Sequence, residues 1–136
     1  MNLKMTEQEL QQFLEQAFTQ FPMRVVEVGP MSAVIEQQTN EHNLRPGGTV
    51  SGPTLMTLVD TGLYAAILAQ LGPVALAVTT NLNINFLRKP EPGLLRAETK
   101  LLKLGKRLAV GEVTITCNHN PDPVAHATGT YSIPPP

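Results

Sequence analysis

The stretch Pro46 to Gly72 reads PGGTVSGPTLMTLVDTGLYAAILAQLG. Glycines open and close it, and between them lies a nearly all-apolar segment with one charge, Asp60. Pro53 suits a first helical turn, where its missing N–H leaves no bond unmade. Ser51 or Gly52 can cap the residues that follow. Gly72 followed by Pro73 is a stop signal. The reading is one helix from Pro53 to about Gln70, roughly 27 Å long at 1.5 Å per residue. Leu55, Met56, Leu58, Val59, Leu63, Tyr64, Ala66, Ile67 and Leu68 point in most directions around it, so it is buried on most sides. Thr57, Asp60, Thr61 and Gln70 interrupt it too often for a membrane span. A central helix wrapped by a sheet follows, and Asp60 becomes a carboxylate in or near a core, costly unless paired or used.

The rest of the chain fits that picture. Its 136 residues suffice for one domain with a real core. The expected domain is 1–136, with a core over about 22–133 and a helix over about 6–20. Thr6 and Glu9 make a capping box, and Leu10, Phe13, Leu14, Ala17 and Phe18 form one stripe behind it. Met23–Val28 and Ser32–Gln37 read as strands around the turn Gly29-Pro30. Ala77–Leu87 alternates Val78, Thr80, Leu82, Ile84 and Phe86 with Thr79, Asn81, Asn83 and Asn85. Asparagine is depleted in strands, so that polar face is either plain surface or, at Thr79 to Asn81, the wall of a polar site. Leu94–Leu104, Arg107–Cys117 and Val124–Ile133 complete the strands, joined by turns at Gly105-Lys106 and Asn118–Pro123. Hairpin-linked strands with segregated helices imply an α+β fold with an antiparallel sheet. Pro134 to Pro136 read as a stiff tail.

Composition excludes several classes. A formal net charge of −1 argues against a general nucleic-acid partner. Acids dominate residues 1–60; bases dominate residues 61–136, where Arg88, Lys89, Lys106 and Arg107 sit at loop ends. These are solvated charges or contacts to the phosphates of an anionic ligand. Cys117 is the one cysteine, so there is no disulfide framework. The polar, acidic start is not a signal peptide, and a cytoplasmic location is the expectation. His42, His119 and His126 are scattered and make no metal site.

Four segments in register, Gly48-Thr49-Val50-Ser51-Gly52-Pro53, Leu58-Val59-Asp60, Asn81 to Arg88 and Gly105 to Ala109, resemble the hotdog-fold acyl-CoA thioesterases. The PaaI-like branch of the 4-hydroxybenzoyl-CoA thioesterase superfamily is the nearest in pattern. The resemblance covers about His42 to Ile133. It implies a curved antiparallel sheet around one long helix, in homodimers or homotetramers with active sites between subunits. It assigns Asp60 as general base or nucleophile, Gly52 N–H as the donor to the thioester carbonyl, and Thr79 as a supporting hydroxyl. Asn43 is assigned as an upstream polar group, with Arg45 competing for that position. Val50 and Ser51 flank Gly52 in the expected substrate-contacting loop. The family's usual His-Gly-Gly is Ser51-Gly52-Pro53 here, so a supporting histidine is absent and Pro53 cannot donate, while Gly52 keeps its N–H.

The residues themselves allow this chemistry. Thioester hydrolysis needs a base or nucleophile and a donor aimed at the developing oxyanion. A helix N-terminus supplies free N–H groups, and its glycines allow close approach. Gly52 and Asp60 are eight residues apart, roughly 12 Å along a helix. They cannot both reach one carbonyl unless a second subunit brings its helix alongside, so the expectation is a two-fold dimer with composite sites. Leu55, Val59 and Leu63 are the expected acyl-pocket residues, and Asn81, Arg88, Lys106 and Arg107 the other substrate contacts. Ser51 reads as a cap, since no Gly-x-Ser-x-Gly elbow surrounds it. Asp60 remains open to a purely structural role. The first reading is an acyl-CoA thioesterase needing no metal or redox cofactor. The second is a non-catalytic acyl-CoA binder. A hydratase ranks last, because Gly48–Gly72 holds no histidine.

Overall fold

Ser51 and Pro53 start a helix where the sequence places one. In the computed structural model, which describes residues 2–135, helix α2 runs Gly52–Leu71. Ser51 Oγ accepts from the Thr54 N–H at 3.3 Å, and Pro53 occupies the first turn. At the other end Gly72 has φ 90° and its N–H donates to the Leu68 carbonyl at 2.8 Å. That left-handed backbone is what glycine supplies. Met1 and Pro136, the ends of the expected domain and tail, lie outside the described residues.

Among the described residues, six antiparallel strands form one sheet: β1 (Met23–Gly29), β2 (Ser32–Gln38), β3 (Val78–Phe86), β4 (Leu94–Leu104), β5 (Leu108–Cys117) and β6 (Asn120–Ser132), in the order β1-β2-β4-β5-β6-β3. The chain is α+β, with the sheet wrapped on α2: the hotdog fold. A helix of this length and hydropathy could cross a membrane, but α2 is packed inside the sheet, with Leu58, Val59, Leu63 and Leu68 fully buried.

Glycine lets the two layers close. Gly111 of β5 pairs with Gly129 of β6, and Leu63 of α2 drops into the slot between them. A Cβ on Gly111 would lie 2.8 Å from Leu63 Cδ2, and one on Gly129 would overlap Leu63 Cδ1. On the helix side, a Cβ on Gly62 would lie 2.7 Å from Thr99 Oγ1.

Several boundaries differ from expectation. Helix α1 (Glu7–Ala17) shows the capping box, with Thr6 N to Glu9 Oε1 at 2.9 Å and Glu9 N to Thr6 Oγ1 at 3.2 Å. It ends three residues early, because Phe18 turns into extended backbone to meet Phe21 and Tyr64. The Asn118–Pro123 turn is only Asn118-His119, both at positive φ, and β6 starts at Asn120. Pro121 and Pro123 fit there because β3 pairs only as far as Ala125 and the β5 pairing is bulged between Ile115 and Cys117. Prolines are tolerated where no ladder bond is needed. A short 3-10 helix, Glu41–Asn43, lies in the loop before α2.

The sheet's two edges are treated differently. Along β1, Gln11 and Glu7 of α1 accept the Val25 and Val28 N–H groups at 2.6 and 3.1 Å, and the Glu7 carboxyl is held below its usual range by its own backbone N–H first and by the Val28 N–H next. That edge is blunted. The β3 edge is open, and Val78, Phe86, Leu87 and Leu76 are exposed beside it. Cys117 is buried at the end of β5, with its Sγ 3.1 Å from the Glu91 carbonyl oxygen. Burial pushes its thiol pKa up.

Candidate active site

A bulge builds the centre of the site. The β3–β6 register runs Asn81↔Thr130 and Leu82↔Gly129, but Thr79 pairs with Tyr131, so Thr80 is the extra residue. In a regular strand Thr79 would share the outer face of Asn81, Asn83 and Asn85. The bulge turns it to the inner face beside Tyr131, which follows the inward Ala125, Ala127 and Gly129. Bulges commonly re-aim a side chain in this way. Alternation alone groups Thr79 with the outer asparagines; in the structure Thr79 meets Asp60, while Asn81 is exposed.

Thr79 and Tyr131 converge on Asp60, two turns into α2. The Thr79 hydroxyl donates to Asp60 Oδ1 at 2.5 Å, and the Tyr131 hydroxyl lies 2.6 Å from the same oxygen. Tyr131 also lies 3.0 Å from the Asp60 backbone carbonyl. Burial first, then the bond to the Asp60 carboxylate, pushes the Tyr131 phenol well above its ordinary range, so Tyr131 is a donor. Among the described residues, no hydrogen bond reaches Asp60 Oδ2. Tyr64, one turn beyond Asp60, stacks on Tyr131 with centroids 6.1 Å apart and donates to the Ala75 carbonyl at 3.1 Å.

Asp60 and Thr79 face a cavity of about 590 Å³. Its other walls are mostly apolar: Phe18, Phe21 and Met23 from the α1–β1 connection, Tyr64 and Tyr131, and Ala75, Ala77 and Val78 before and within β3. A second cavity of about 310 Å³ lies at the start of α2 between Gln37, His42, Asn43, Ser51, Pro53 and Thr54. Thr57, Pro22 and Met23 line both, so the two form one groove along the open face of α2.

Of the expected residues, Asp60, Thr79, Asn43 and Ser51 line this groove, and the others do not. Gly52 is the first residue of α2, and its N–H makes no hydrogen bond among the described residues. Asn43 Oδ1 accepts the Asn40 N–H at 2.8 Å, and the Asn43 carbonyl accepts the Ser51 N–H at 2.8 Å. Its side-chain NH₂ is the group left to act. Ser51 is the cap. Val50 is buried, as are Leu55, Val59 and Leu63, which fill the core rather than line either cavity. They lie on the sheet-facing side of α2; the open side carries Thr57, Asp60 and Thr61. Asn81 is exposed on the outer face of β3. Arg88 donates to the Pro123 carbonyl at 2.7 Å at the end of β3 where Phe86 approaches Gly52. Lys106 and Arg107 lie in the β4–β5 turn, at the other end, where Leu108 and Val78 both pair with Ser132. Tyr131 was missed, since its partners are 52 and 71 positions away; the only hint is a large polar-tipped aromatic after inward small residues.

A model of the thioesterase superfamily matches residues 47–123. A Pseudomonas aeruginosa protein named as an esterase by inference is 30% identical over 102 residues, 74% of this chain and 75% of that one. The crystal structure of a Silicibacter protein, described as a thioesterase by inference, superposes with a TM-score of 0.92 at 43% identity, over 99% of this chain and 96% of that one. The phenylacetic acid degradation protein PaaI of Thermus thermophilus has the same fold, with a TM-score of 0.73 at 24% identity, over 90% of this chain and 99% of that one.

Proposed function

The chain belongs to the thioesterase superfamily, and on that premise we propose that it hydrolyses an acyl-CoA thioester to a free acid and coenzyme A. The observation that carries this is Asp60: a carboxylate with one oxygen held by two hydroxyls, at the polar end of an apolar cavity. Asp60 takes a proton from an attacking water, or attacks the carbonyl itself to give an anhydride that water then opens. In both cases the C–S bond breaks and the sulfur leaves as the thiol of coenzyme A. The acyl group lies in the cavity under Phe18 and Phe21. Asn43 helps to place the polar head of the substrate, and the basic side chains at one end of β3 meet its phosphates.

Gly52 supplies the oxyanion donor across a subunit interface. Its N–H is free, but it stands roughly 12 Å along α2 from Asp60. A two-fold partner that pairs with the open β3 edge would cover Val78, Phe86 and Leu87 and set Gly52 of the partner subunit near Asp60. The expected assembly is a homodimer, or a homotetramer built from it, in the cytoplasm.

The test is thiol release from phenylacetyl-, hexanoyl- and decanoyl-CoA. Asp60→Asn keeps an acceptor for Tyr131 but removes the base, and is expected to lower kcat by roughly 10²- to 10⁴-fold. Binding of all three without thiol release by the wild type would replace the enzyme by an acyl-CoA binder. Undiminished release by Asp60→Asn would move the chemistry elsewhere.

A further inference from the structure

We infer that Tyr131 is a positioning residue for the thioesterase reaction, fixing Asp60 through Oδ1 so that Oδ2 is the oxygen that acts on water or substrate. The inference rests on the hydrolytic reading above and adds a residue and an oxygen to it.

Three independent features support it. The first is register: the Thr80 bulge makes Thr79 and Tyr131 a cross-strand pair on the inner face, so both hydroxyls arrive from one side of Asp60. The second is occupancy. Both reach the same oxygen, at 2.5 and 2.6 Å, and a hydroxyl bonded to a carboxylate is a strong, directional contact. Two such bonds fix the rotation of the carboxylate, and Oδ2 is left without a partner among the described residues. The third is rigidity. The Tyr131 ring is 4% exposed and stacks on Tyr64, one turn from Asp60 on the same helix. Its hydroxyl therefore moves with the helix that carries the acid. Burial keeps the Tyr131 proton in place through the working pH range, so Tyr131 orients Asp60 rather than shuttling protons.

The role differs from a packing role in what it moves. Tyr131→Phe keeps the ring and its stacking and deletes one hydroxyl. With the whole chain and the three acyl-CoAs above, kcat is expected to fall by roughly 10- to 100-fold, the scale of a small misplacement of a reacting group. KM and assembly state are expected to stay near wild type, and the melting temperature to fall by several degrees for the lost bond to a charged group while the protein stays folded at the assay temperature. Because Tyr131 acts through Asp60, adding Tyr131→Phe to Asp60→Asn should not lower residual release further, measured with enzyme in excess over substrate. An active wild type with Tyr131→Phe within two-fold of it overturns the inference and leaves the hydrolytic reading standing. So does an equal loss in the Asp60→Asn background, or a fall explained by lost folded protein. A wild type that releases no thiol from any of the three overturns both.

Discussion

Adding one methyl group at Gly129 should loosen the fold and misalign the site together. A Cβ there would overlap Leu63 Cδ1, come within 2.8 Å of Leu82 Cδ2 and lie 3.3 Å from the Asn81 carbonyl oxygen. Leu82 is half-buried and can yield. Leu63 cannot retreat easily, because its other branch already fills the space above Gly111. Overpacking of this kind costs about 1–3 kcal/mol, and the two-sided confinement of Leu63 puts Gly129→Ala near about 2 kcal/mol. Far-UV circular dichroism in urea, at one fixed chain concentration, reads it; the chain has no tryptophan. Leu63→Ala alone should cost about 2–5 kcal/mol through the cavity it leaves. In the double variant the new methyl enters that cavity, so the combined cost should fall short of the sum by on the order of 1 kcal/mol. Gly129→Ala also pushes α2 off the sheet three residues past Asp60 and two before Tyr131. Thiol release should therefore drop by roughly ten-fold or more at full occupancy of the fold. A neutral Gly129→Ala, or additivity within about 0.5 kcal/mol, would refute the claim that paired glycines set the helix-to-sheet distance.

Three further outcomes follow from other parts of the structure. Phe18→Ala opens the wall of the Asp60 cavity and should raise KM for decanoyl-CoA about five-fold or more, since the ring is 46% exposed in the free protein and an acyl chain lying against it would cover part of a side chain worth about 1.5–3 kcal/mol when fully buried; an unchanged KM would move the acyl group out of this cavity. Val78→Lys places a charge on the open β3 edge and should yield monomers in light scattering with thiol release lost, because edge charges block strand pairing; an active monomer would refute the composite site. Burial raises both Tyr131 and Tyr64, so the unfolded chain loses those protons first, near about pH 10. The unfolded state then binds fewer protons; the Cys117 thiol, also raised by burial, adds the same loss from about pH 8.5, so stability should begin to decline above about pH 8 and fall more steeply above about pH 10. Tyr131→Phe should make that alkaline fall shallower in urea melts, and an identical slope would contradict the buried donor.

The parts of the molecule that the sequence displays are those set by near neighbours. The cap at Ser51, the stop at Gly72 and the box at Thr6 and Glu9 involve residues within four positions, and the structure shows each. The β3 strand followed from alternation, and the other strands from the turns that bound them. What stayed hidden depends on contacts across the sheet. One extra residue at Thr80 reverses the facing of Thr79 without leaving any mark in composition. The α1 boundary shifted because Phe18 prefers an aromatic neighbour 46 positions away to another helical turn. Leu55, Val59 and Leu63 could not be sorted from groove residues, because a helix apolar all round does not say which side the sheet takes. Asp60 and Gly52 were legible as chemistry, a lone acid and a free helix start, whereas Tyr131 joins them only after β6 has paired with β3.

Cys117 gives the protein an internal optical reporter. The assay proposed for its activity counts free sulfhydryls with a colorimetric reagent, and the chain owns one of its own. Folded, that sulfur is enclosed beside Glu91 and, with its pKa raised by burial, is a poor nucleophile toward the reagent. The native baseline is therefore silent, and every early equivalent of colour comes from the product. Denatured, each chain contributes one further equivalent. A single cuvette can thus follow turnover first and then, on adding urea, count the molecules that were folded while it happened.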